Sequence, residues 1–105
     1  ILSLSGVYFR NTVWYWHPLW NIVTSICDDI ITFRDFRLGH SNDNHHIDAD
    51  KALKIGMRLK EKLEEGIIDE LVKAENKKEE KYTADKDNIE TFADFCINSG
   101  GFSIC

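Results

Sequence analysis

The sequence predicts a mainly α protein of the α+β class, with about three to four helices and a small antiparallel β pair joining the N- and C-terminal strands. Three observations predict it. Apolar residues recur at helical spacing in separate stretches, those stretches are bounded by capping or stopping residues, and both chain ends are short and β-prone.

Residues 2–9, LSLSGVYF, alternate partly and favour extended backbone, with Gly6 marking a bulge or a close backbone approach, so a short strand is expected. A helix is expected from Pro18, whose fixed φ and missing N–H suit a first helical position. Leu19, Ile22, Val23, Ile26, Cys27 and Ile30 then share one face. Thr32 and Asp35 have the spacing to cap a short further turn carrying Phe33 and Phe36, closed by Gly39. Residues 39–47, GHSNDNHHI, carry turn chemistry without periodicity and read as a loop.

Asp48 is suited to cap the next helix, whose stripe is Ala49, Ala52, Leu53, Gly56, Leu59 and Leu63, ending at Gly66. Ile67, Ile68, Leu71 and Val72 supply about two apolar turns before a charged helix end or linker at about 73–86. Asp87 and Glu90 have capping-box spacing ahead of the stripe Ile89, Phe92, Ala93, Cys96 and Ile97, which stops at Gly100 and Gly101. The last four residues, FSIC, need a partner for their backbone groups, and the N-terminal strand is the expected one.

A chain of 105 residues and 12.2 kDa has the size of one domain, here residues 1–105. Its 43% hydrophobic and 30% charged content places it with folded globular chains and apart from disordered or membrane-spanning ones. The formal net charge is -5, and the acidic excess falls in residues 67–105. Lys77, Lys78 and Lys81 are diluted by Glu75, Glu79 and Glu80, so the pattern argues against direct nucleic-acid binding, which needs a positive surface. An acidic surface is instead suited to steering onto a basic partner.

Cys27, Cys96 and Cys105 cannot all pair within one chain and lack zinc or redox spacing, so they read as reduced thiols of a cytoplasmic protein. No membrane contact is expected, because no run is long and apolar enough to span a bilayer and the start lacks signal-peptide character. The chain begins at Ile1 without a methionine, which leaves room for residues upstream.

Three blocks taken together, FRNTVWYWHPLW at 9–20, GHSNDNHHIDADKALKIGMRLKEKL at 39–63 and NIETFADFCINSGGFSIC at 88–105, resemble a group of small proteins from bacteria and their phages with the same blocks in the same order. The resemblance implies an origin on a mobile element and, by association, a modulator or inhibitor of a host system. It carries no activity and no assigned residues.

The aromatic stretch 13–20 has two readings. In the first, Trp14, Trp16 and Trp20 are core, since large rings supply much of what so small a domain must bury. In the second, alternation sends Trp14 and Trp16 one way and Val13 and Tyr15 the other, leaving one set exposed as contact anchors beside Arg10 and His17. A polar surface loop explains His40, Asp43, His45, His46 and Asp48, which also offer a divalent-metal alternative without any HExxH, Cys-pair or EF-hand spacing. Cys27 and Cys96 fall on buried faces and Cys105 is terminal, and no serine has a convincing base.

The leading expectation is a non-enzymatic interaction protein without cofactor, which binds a protein partner and occludes it through Arg10, Trp14, Trp16, His17 and Trp20. A small-molecule, nucleotide-like binder is the alternative, with Arg10 and His17 holding an anion. Metal-dependent hydrolysis at the His/Asp loop comes third. Unpaired sheet edges and a spare aromatic face leave room for a homodimer.

Overall fold

The computed structural model describes residues 13–41, 45–78 and 82–104. Among them the chain forms α1 (Val13–Ile26), α2 (Phe33–Ser41), β1 (His45–Ile47), α3 (Ala49–Glu64), α4 (Ile67–Asn76), α5 (Lys86–Asn98) and β2 (Phe102–Ile104). The described residues are mainly helical, with five helices rather than three to four. No helix among the described residues is long and apolar enough to cross a membrane.

The C-terminal strand does find an antiparallel partner, but a different one. β2 pairs with β1, placing His45 opposite Ile104, His46 opposite Ser103 and Ile47 opposite Phe102. The sequence reading of 39–47 as loop therefore fails at 45–47, where three residues become a strand by pairing with a segment far along the chain. The expected strand at 2–9 lies outside the described residues. Gly101 makes the junction, because its φ is 103° and a Cβ there would lie 3.1 Å from both Ala49 N and Ile47 O.

Besides α1, which runs Val13–Ile26 instead of starting at Pro18 and carrying its stripe to Ile30, two helix boundaries differ from the reading, for local reasons. α2 runs through Gly39 instead of closing there, although Thr32 and Asp35 do exchange capping bonds: Asp35 N–H donates to Thr32 Oγ1 and Thr32 N–H to Asp35 Oδ2, both at 3.1 Å. α5 begins at Lys86, two residues earlier than the Asp87–Glu90 spacing suggested, with Asp85 as the cap that accepts Asn88 N–H. Asp48 caps α3 as expected, accepting Lys51 N–H at 2.9 Å.

The core lies between α3 and α5, with α1 packed across them. Ala52, Ile55 and Leu59 of α3 meet Ile89, Phe92, Ala93 and Cys96 of α5, while Leu19, Trp20, Ile22 and Val23 of α1 join from the other side. Gly56 lets α3 and α5 approach closely, since a Cβ there would fall 2.6 Å from Ile97 Cγ1 and 2.8 Å from Ala93 O.

Candidate functional site

Pro18 does not open a helix; it sits inside α1. Its missing N–H deprives the Trp14 carbonyl, four residues back, of the intrahelical donor it would otherwise have. Thr83 N–H takes that role, donating to Trp14 O at 2.9 Å. The next residue is held from the other side, because Ala84 N–H donates to Asn76 Oδ1 at 2.7 Å and Asn76 Nδ2 donates to Ala84 O at 3.1 Å. The segment at about 73–86, expected as a charged helix end or linker, continues α4 to Asn76 and is pinned across α1 at 82–84. Tyr82 consequently lies parallel to the His17 ring, with centroids 5.1 Å apart and 3° between planes, and meets the Trp14 ring at 5.7 Å.

The helix from Val13 resolves the two readings of the tryptophans. At 100° per residue, Trp16 and Trp20 share a face and Trp14 does not, so the strand-like alternation is corrected. Trp16 and Trp20 stack at 5.3 Å inside the protein. Their indole N–H groups donate to α2 carbonyls, Trp16 Nε1 to Gly39 O at 2.8 Å and Trp20 Nε1 to Phe36 O at 3.1 Å. This approach requires Gly39, where a Cβ would fall 2.2 Å from Trp20 Nε1. Trp16 and Trp20 are therefore unavailable as contact anchors. Trp14 and Tyr15 remain outside, 48% and 43% exposed. Arg10 lies outside the described residues.

Beside this aromatic ridge is a cavity of about 320 Å³ lined by His17, Pro18, Asn21, Glu75, Lys78 and Tyr82. Its wall carries a nearly covered carboxylate: the Glu75 side chain is 11% exposed, with Lys78 Nζ 2.8 Å from Oε1 and Asn21 Nδ2 3.4 Å from Oε2. Behind it, His40 Nε2 lies 2.9 Å from Asn21 Oδ1. Burial, reinforced by the neighbouring His17 and opposed by Glu75, pushes His40 down to about 4. Neutral His40 donates from Nε2, which turns the Asn21 amide so that its Nδ2 faces Glu75. His40 Nδ1 is buried without a hydrogen-bond partner among the described residues. These contacts join α1, α2 and α4 across long stretches of sequence, and no local motif announced them.

The His/Asp loop comes apart in three dimensions. His40 faces His17, with ring centroids 4.4 Å apart. His45 Nε2 lies 2.6 Å from Asp35 Oδ1, His46 points outward, Asp48 is occupied as a helix cap, and Asp43 lies outside the described residues. No three His, Cys, Asp or Glu side chains among the described residues form a group that could hold a metal ion. What the loop supplies instead is a buried electrostatic knot. Asp35 accepts Lys51 Nζ at 2.5 Å as well as His45, and although burial pushes its carboxyl up, the hydrogen bonds from Lys51, His45 and Thr32 hold it at about 2.

The two thiols among the described residues offer no nucleophile. Burial pushes Cys27 up to about 12, and Cys96 well above the usual thiol range, so both stay protonated at neutral pH. No protein-family model, curated protein or solved structure matches the chain.

Proposed function

We propose that this chain is a non-enzymatic binding protein that covers part of a partner macromolecule through the ridge Trp14–Tyr15–Tyr82. The observation that supports this reading is the sorting of the aromatic stretch: two tryptophans are buried with their N–H groups satisfied, while Trp14 and its neighbour Tyr15 stay near half-exposed beside Tyr82. Large amphipathic rings fixed on a helix at the surface are the residue types that dominate interface energetics. The bond from Thr83 N–H to Trp14 O holds the backbone beneath them, which lowers the ordering cost of binding.

The nucleotide-like alternative is less well supported. Trp16 and Trp20 stack on each other and leave no slot for a base between them, and the Glu75 carboxylate on the cavity wall opposes a phosphate. The metal-hydrolase reading has no ligand set among the described residues.

Site-specific photocrosslinking tests the proposal. A crosslinking side chain replaces Trp14, Tyr15 or, on another exposed surface, Met57. Discrete adducts from positions 14 and 15, absent at 57, are the expected result; adducts from 57 alone would move the contact face to α3.

A further inference from the structure

Building on the partner-binding reading above, we infer that the cavity beside the ridge receives an arginine side chain of that partner, with Glu75 as its counter-ion. Four features converge there. The cavity has room for one long side chain, at about 320 Å³. Its wall holds a carboxylate that is mostly withdrawn from water, so a charge-assisted bond made there is stronger than one at the surface. The cation now on that carboxylate, Lys78, is 64% exposed and meets only Oε1, as a flexible point charge, whereas a guanidinium can engage both carboxylate oxygens. The remaining lining is Pro18, Asn21 and the rings of His17 and Tyr82, flat surfaces that suit the planar, weakly hydrated guanidinium better than a compact ammonium.

Glu75 is also held in place from behind: His40 orients Asn21, and Asn21 Nδ2 turns toward the carboxylate. An anion would meet Glu75 at the wall, and a neutral side chain would leave that carboxylate to Lys78.

The test is a titration of the full chain, followed by amide and side-chain NMR shifts, with acetyl-Gly-Arg-Gly-amide and matched peptides carrying lysine or citrulline. Saturable shifts at Asn21, Glu75, Lys78 and Tyr82 are expected, strongest for arginine. Citrulline should bind about tenfold more weakly, the scale of one charge-assisted contact. Lys78→Ala should tighten arginine binding by about threefold because it removes the internal competitor, and Glu75→Gln should weaken it about tenfold. Equal binding of citrulline and arginine, weaker binding in Lys78→Ala, or no saturable shift at these residues would overturn the inference. The ridge is read separately by the crosslinks from positions 14 and 15, so either result can fail while the other stands.

Discussion

The carbonyl of Trp14 and the amide of Thr83 are joined at 2.9 Å because Pro18 has no N–H to offer. One proline thereby opens a helix to an outside strap, and the strap carries Tyr82 onto His17 and against Trp14. Ridge and cavity both depend on that bond.

Pro18→Ala restores a helical donor that competes for Trp14 O. Amide exchange at Thr83 should then lose about tenfold in protection, the scale of one net backbone hydrogen bond, while the α3 and α5 amides keep theirs. Unchanged protection at Thr83 would mean that the strap is held by Asn76 alone.

The three tryptophans should separate sharply in denaturant unfolding. Trp20→Ala removes a fully buried ring and should cost about 3–5 kcal/mol, whereas Trp14→Ala should cost under about 1 kcal/mol. A comparable loss at both positions would contradict the sorting of interior and exposed rings.

Gly39→Ala should be among the most damaging single-methyl additions in the chain. The new carbon would overlap the Trp20 indole, and both N–H bonds to α2 would be strained, so a loss of about 3 kcal/mol or more is expected from the unfolding midpoint. Stability near that of the parent protein would show that α2 can shift away from α1 at little cost.

Acid should weaken the fold in two separate windows. His40 is held at about 4 against an ordinary 6.5, so below 6.5 the unfolded chain takes a proton that the native state refuses. Stability is therefore complete above 6.5 and falls as pH drops to 4. Asp35 is held at about 2 against 3.8, so its contribution is complete above about 4 and is lost as pH falls through 2. Unfolding free energies measured from pH 8 to 2 should show both slopes; His40→Gln should flatten the upper one and Asp35→Asn the lower.

The long helices were legible in the sequence because their cores are one-sided stripes. Ala52, Leu59, Ile89, Phe92 and Cys96 fall inside as their spacing indicates, although Ala49 and Leu53 of the expected α3 stripe are exposed and Ile55, outside that stripe, is fully buried; the Asp48 cap is a local matter of four residues. The start of α1 was not, because in a run as aromatic as VWYW the helical and alternating patterns both fit, and Pro18 resembles a helix opener unless its orphaned carbonyl has a partner 69 residues away. β1 was invisible for a similar reason: three residues with turn chemistry become a strand only by facing β2. The cavity is set by Asn21, His40 and Glu75, which are brought together by packing alone.

The most direct measurement is fluorine NMR on protein labelled with 5-fluorotryptophan, in the presence of a soluble paramagnetic chelate. Of the three resonances, the one removed by Trp14→Phe should broaden strongly while the two from Trp16 and Trp20 stay sharp. Broadening of two or three resonances, or a protected Trp14, would contradict the account, because the ridge proposed to meet the partner would then not be the surface this protein presents.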